Sequence, residues 1–245
     1  MTTVNETVEL KATRRDVGSA VVVGVMTVVG WLTLGAGLVF GVFAVTGQLE
    51  TAVPVKLSPE APAWMDVVLP CVEGWSLEGS SCEPAATPEE WPGGEALPVR
   101  HTGGLVAGIN DVGPLPALLS TVPLWGGLVT TGAVVLVLIP VLRNMAAGQL
   151  FRRGNASRLG TAAGVIVLGW IIATVGPVLA APTIIGLIEA APRYTGSESF
   201  DMPVGWLVSD PRITWWPLVP ALLLLVLAGA TRKGTRIAAD TEGLV

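Results

Sequence analysis

The chain is 245 residues long, 51% hydrophobic and only 13% charged, with a formal net charge of −5. Soluble domains average about 25% charged residues, so this composition describes a polytopic membrane protein and argues against a soluble enzyme with a large core. It holds no soluble basic domain, which excludes nucleic acid as a direct ligand.

Residues 1–16 form a polar tail, either frayed or a short interfacial helix. Lys11, Arg14 and Arg15 precede an apolar run, as in a secretory signal. That run, 17–46, is far longer than a signal core of about 7–15 residues, so it reads as a retained first span. It also exceeds the roughly 20 residues that cross hydrocarbon, which predicts tilt or projection beyond the bilayer. Gly37 and Gly41 within it have the small-xxx-small spacing that lets helix backbones approach.

Residues 47–114 change character. They hold ten acids, many Pro and Gly, and both cysteines of the chain. Strand-like patches at 53–57, 74–78 and 97–101 predict a small loop-rich domain with short strands. Cys71 and Cys82, confined to one exported loop, are expected to form a disulfide contributing about 2–3 kcal/mol. A zinc site needs about four ligands, and His101 with two cysteines gives no recognisable pattern.

The second span is predicted over 115–142, with kinks expected at Pro123 and Pro140. The basic turn 143–155 follows, with Gly148 as a natural helix stop and Asn155 as the N-cap of the next helix. Arg143, Arg152, Arg153 and Arg158 lie in or beside this turn, and residues 143–159 contain no acid. The third span, 156–188, repeats the close-packing spacing at Gly160 and Gly164. Pro177 and Pro182 predict a bend in its outer half. Residues 189–213 form a second exported loop, where the alternation of Val204, Trp206 and Val208 predicts a strand added to the first loop's domain. The fourth span, 214–230, starts at Trp215 and Trp216, which fit an interfacial aromatic belt. The tail 231–245 carries Arg232, Lys233 and Arg236.

Charge orients these elements. Both tails and the 143–158 turn hold ten of the 14 Lys and Arg, whereas the two loops hold 14 of the 19 acids. The positive-inside rule then predicts both termini in the cytoplasm and a bacterial plasma-membrane protein with four spans. The fold class is a membrane all-α, four-helix bundle with a small β-containing extracytoplasmic domain built from both loops.

Catalytic signals are missing. The span centres carry no ionisable residue, which disfavours a proton-coupled transporter. Thr27, Thr33, Thr130, Thr131 and Thr174 are the mid-span polar groups, and threonine readily bonds its own helix backbone. No phosphate-binding Gly-rich loop, H-E-x-x-H or G-x-S-x-G occurs. One His and one Tyr leave little for acid–base work, so neither enzyme activity nor a cofactor is expected.

Two stretches carry a family resemblance. G-Q-L-F-R-R-G-N-A-S-R-L-G at 148–160 is similar to a G-D-P-F-x-x-x-N-A-x-R-L-x-x-x-G signature. L-A-G-A-T-R-K-G-T-R-I-A-A-D-T-E-G-L-V at 227–245 is similar to a closing L-A-E-V-F-R-x-G-x-x-L-x-x-D-x-E-x-x-V pattern. The chain thereby resembles a bacterial four-span membrane family, domain of unknown function 2975. Gln149, Leu150 and Gly229 depart from the pattern, and Gly229 removes the carboxylate the pattern has there. The resemblance implies four spans and no known activity. It also implies a cytoplasmic partner, a small helix-turn-helix regulator, held by a membrane sensor or anchor.

The leading expectation is a non-enzymatic membrane protein for signalling or interaction, with an extracytoplasmic ligand or protein outside and a regulator inside. Arg143, Arg152, Arg153, Arg158, Arg232, Lys233 and Arg236 are the candidate contacts to that partner or to anionic lipid. Gly37, Gly41, Gly160 and Gly164 are the candidate packing positions. The alternative is a small transporter, channel or immunity-type protein, which requires a polar path between the spans.

Overall fold

Apolar runs of this length have one stable answer in hydrocarbon, the helix, because each backbone N–H and C=O is then paired within its own segment. The computed structural model describes residues 3–58, 71–73, 96–101, 104–110, 112–149, 152, 154–195, 198–200, 202 and 204–242. Among these, five helices form: α1 (Thr3–Val45), α2 (Pro114–Ser120), α3 (Val122–Ala146), α4 (Asn155–Ala190) and α5 (Leu218–Glu242). All but α2 are long and apolar enough to cross a membrane, as a multi-pass protein requires. Their large apolar side chains point outward in numbers: Leu32 is 67% exposed and Val226 63%. Such surface is costly in water and ordinary against lipid tails.

The chain divides into two compact units. The first comprises Met1–Val39, Trp125–Ile171 and Thr214–Val245. Its tightest contact is between α1 and α3. Val23, Gly30 and Gly37 are buried along one stripe of α1 at seven-residue spacing. A Cβ at Gly37 would lie 2.8 Å from Val129 N and 2.9 Å from Trp125 O. A Cβ at Gly132 would lie 2.6 Å from Leu34 N and 2.8 Å from Gly30 O. The two backbones therefore meet where only glycine fits. On α4, Gly169 lies against the Thr130 side chain of α3. Helix α5 joins through Val141, Leu159 and Ala228, which pack together from α3, α4 and α5. Trp170 Nε1 donates to Thr214 O at 2.7 Å, and its ring lies 5.6 Å from that of Trp215.

Gly160 and Gly164 differ from the sequence expectation. Among the described residues, a Cβ at either position meets nothing within 4 Å, so neither is a contact between described helices. The spacing marks a face that permits close approach, but only a facing helix makes it a contact. The packing glycines of this unit are Gly30, Gly37, Gly132 and Gly169; Gly41 belongs to the second unit and is half-buried.

The second unit comprises Phe40–Leu124 and Ile172–Ile213. It holds a five-stranded sheet in the order β2 (Cys71–Glu73), β3 (Ala96–His101), β4 (Leu105–Ile109), β1 (Thr51–Leu57) and β7 (Leu207–Ser209). All pairings are antiparallel except β2 with β3. Strand β7 comes from the 189–213 segment and pairs Val55 with Ser209, so both loops contribute to one sheet. A separate hairpin joins β5 (Arg193–Thr195) to β6 (Glu198–Phe200). Thr51, Val53 and Val55 alternate inward along β1, the period-2 pattern of a half-buried strand. Val53, Val55, Val99 and Ala107 of the sheet share one core with Ala181, Ile184 and Ile188 of α4.

That core explains the length of α4. Thirty-six residues span about 54 Å, well beyond the roughly 30 Å of a hydrocarbon core. The expected span 156–188 is thus one helix with two environments. Residues 172–190 bury Gly176, Ala180, Ala181, Ile184, Ile185 and Ile188 on one face. The helix runs unbroken through Pro177 and Pro182, where a bend or unwound turn is predicted from sequence. Each proline removes one intrahelical bond, and packing of the buried face on both sides maintains the helix.

The second predicted span begins later than expected. Helix α2 stops at Ser120, and α3 starts afresh at Val122. Pro123 sits in the first turn of α3, where its missing N–H has no intrahelical partner to lose, so it starts a helix instead of kinking one. Pro140 lies inside α3.

Glu189 is the residue the sequence conceals. Counted among loop acids by composition, it occupies the last turn of α4 and is only 8% exposed. Its Oε1 accepts N–H bonds from Gly205 at 2.9 Å and Leu207 at 3.5 Å. The carboxylate thereby ties the segment before β7 to α4. The Cys71–Cys82 link has no support in the structure: Cys71 opens β2, while its side chain and Cys82 lie outside the described residues. The 74–78 patch lies outside them too.

Two stability outcomes follow from these contacts. Gly132→Leu should destabilise the detergent-solubilised protein by about 3 kcal/mol or more through overpacking, whereas Gly160→Leu should stay within about 0.5 kcal/mol. Thermal unfolding of both variants checks the pair. Glu189→Ala should cost about 2–3 kcal/mol by stranding two backbone donors, and Glu189→Gln less, because its amide oxygen still accepts. Denaturant titration followed by tryptophan fluorescence measures both.

Candidate anion-binding pocket in the basic connector

The connector between α3 and α4 is shaped by its backbone before its charges matter. Gly148 has φ +73, donates to Met145 O at 3.0 Å, and precedes Gln149, which donates to Asn144 O at 2.8 Å. This is the paired bonding of a Schellman stop, and glycine takes the left-handed position at least cost. At the other side, Gly154 has φ +104 and its carbonyl accepts the Arg158 N–H at 3.1 Å. Gly154 therefore stands where the N-cap belongs, and Asn155 is the first helical residue, displacing the capping role expected of it.

Asn155 does something else. It is 2% exposed, and its Oδ1 accepts from Asn144 Nδ2 at 2.7 Å. Its Nδ2 donates to Gln149 O at 3.4 Å. Asn144 Oδ1 in turn accepts from Arg152 Nη1 at 3.0 Å. A directed chain of amides thus runs from the buried start of α4, through the end of α3, to one guanidinium.

Above this chain is a cavity of about 330 Å³. Arg143, Arg152 and Arg158 line it with Asn144 and Asn155, and Pro140 and Gly154 complete the wall. All three arginines are exposed. Among the described residues, no lining residue is acidic. Among the described residues, none of the three arginines is paired with a carboxylate.

Of the sequence-predicted contacts, the structure therefore brings three together. Arg153 lies outside the described residues. Arg232, Lys233 and Arg236 are exposed on α5 and are not part of the cavity wall. Helix α5 continues to Glu242, so Arg236 and Asp240 share one helix at i,i+4 spacing. Sequence reasoning missed Asn144 and the true role of Asn155. The available signal was an asparagine at each end of a turn with no acid in it, a polar pair that burial at a helix junction would have to satisfy internally.

Among the described residues, no group of three or more His, Cys, Asp or Glu could hold a metal ion. Three of the mid-span threonines bond their own helices: Thr27 donates to Val23 O and Thr33 to Val29 O, both at 2.7 Å. Thr131 donates to Gly127 O at 2.8 Å. Comparison of the chain with protein-family models, curated proteins and solved structures yields no match.

Asn155→Leu should cost about 1–3 kcal/mol, because Asn144 loses its partner at a buried junction. Replacing Asn144 with Leu as well should recover part of that loss, since removing both partners is cheaper than stranding one. A double-mutant cycle of unfolding midpoints tests this.

Proposed function

We propose that this chain is a non-enzymatic integral membrane protein of a bacterial inner membrane, a sensor or anchor that holds a cytoplasmic partner at its basic connector. The observation that carries the reading is the acid-free cluster of Arg143, Arg152 and Arg158 on a connector braced by Asn144 and Asn155. The charge bias of the sequence supports placing this connector inside, with both termini. The same bias supports an outside position for the 47–114 and 189–213 loops, whose shared sheet would offer a folded surface for an extracytoplasmic signal. The resemblance to domain of unknown function 2975 supports a small helix-turn-helix regulator as the partner. The hydroxyls of Thr27, Thr33 and Thr131 favour this reading over a transporter or channel, because their protons are given to their own helices and not to a polar path.

The test is co-purification in mild detergent. Arg152→Gln with Arg153→Gln should reduce recovery of the cytoplasmic partner about fivefold or more, the loss of about 1 kcal/mol of interaction. An alkaline phosphatase fusion at Gly94 should be active in both backgrounds. Equal recovery from correctly inserted variant protein would leave these arginines as topology determinants, and an inactive fusion in the parent chain would overturn the orientation.

A further inference from the structure

The cavity wall has a one-sided chemistry. Its two side-chain carbonyl oxygens are already engaged within the wall: Asn144 Oδ1 accepts from Arg152, and Asn155 Oδ1 accepts from Asn144. What the wall chiefly offers an occupant is donors, the guanidinium N–H groups of three arginines. Such a wall suits an acceptor, and three like charges around one space call for a negative one. A carboxylate presents two oxygens and satisfies a single arginine fork. A phosphate group presents three or more oxygens, carries up to two charges, and can be bound by several forks together.

The cavity is also prepared. Arg152 is oriented by Asn144, which is oriented by Asn155, which is 2% exposed and bonded to the connector backbone. Arginine side chains held in place lose less freedom on binding than loose ones. The volume, about 330 Å³, lies at the small end of ligand pockets and suits a headgroup-sized anion. Finally, the connector joins two helices that are each long and apolar enough to cross a membrane, which sets the cavity at the depth of lipid headgroups.

We propose that the cavity walled by Arg143, Arg152 and Arg158 is a binding site for a phosphate group, supplied by the headgroup of an anionic phospholipid or by free phosphate. This goes beyond the anchor role and does not rest on it, since no protein partner enters the test. Purified, delipidated protein in neutral detergent is titrated separately with inorganic phosphate, short-chain phosphatidate and short-chain phosphatidylcholine. Binding is read by calorimetry and by the rise in unfolding midpoint.

One site per chain is expected, with phosphatidate or inorganic phosphate preferred over the zwitterionic lipid. Tighter binding of phosphatidate assigns the headgroup as the source, and equal or tighter binding of inorganic phosphate assigns the free anion. Arg158→Gln and Arg143→Gln should each weaken binding about tenfold or more. Arg158→Lys should fall between, because it keeps charge and loses the fork. Arg232→Gln, outside the wall, should bind as the parent does. Both Gln positions are exposed, so their ligand-free midpoints should match the parent, and Arg158→Lys supplies the reading if either does not. Absence of saturable binding by both anions, equal affinity for phosphatidylcholine, or unchanged affinity in the Gln variants would overturn the site.

Discussion

The approach of α1 to α3 is the contact on which the first unit depends. Lipid tails are as apolar as leucine side chains, so burial alone gives helices no reason to associate. What remains is dispersion between surfaces that fit, and it falls steeply with distance. Gly37 and Gly132 bring the two backbones so near that a methyl group would meet main-chain atoms below 3 Å, and one at Gly30 would press on the Leu136 side chain. With α3 held to α1, the other side of α3 presents Thr130 to Gly169 of α4. The Val141, Leu159 and Ala228 cluster then adds α5. Each added helix rests on a surface the previous pair has fixed.

Helix α4 meets two packing rules along one continuous element. Its first half contributes to the first unit, where small residues and outward-facing leucines suffice. From Gly176 onward its buried positions recur on one face, as in a helix covering a sheet. The sheet it covers is closed by β7, which pairs with β1 although some 150 residues separate them. Glu189 makes that closure specific. A carboxylate in the last turn of a helix is poorly placed relative to the macrodipole, yet its bonds to Gly205 and Leu207 offset this.

Much of this was legible in the chain. The four apolar runs, the strands near 53–57 and 97–101, and the strand supplied by the second loop follow from length and period, which burial enforces directly. The glycine stop at 148 was legible because a left-handed residue has few alternatives. Gly160 and Gly164 misled for a physical reason: small-residue spacing reports what a face permits, and the partner's position decides what it does. Pro123 misled because one residue type starts helices and kinks them, and only the break at Thr121 distinguishes the two. Glu189 was hidden because composition registers a charge without its burial.

The connector separates two demands that charge patterning merges. Orientation requires only that Lys or Arg be numerous on one short loop, with no constraint on where each side chain lies. Flexible, solvated lysines would meet that demand with less cost in side-chain entropy and no desolvation. Here the cations are all arginines, and Arg152 is fixed through two asparagines, one of them withdrawn from solvent. Burying an amide pair at a helix junction costs free energy unless every member is bonded, and the chain from Gln149 to Arg152 meets that condition. A topology signal needs none of this order. The order is what a site for a specific anion needs, because affinity rises with the positional freedom a binding group has already lost.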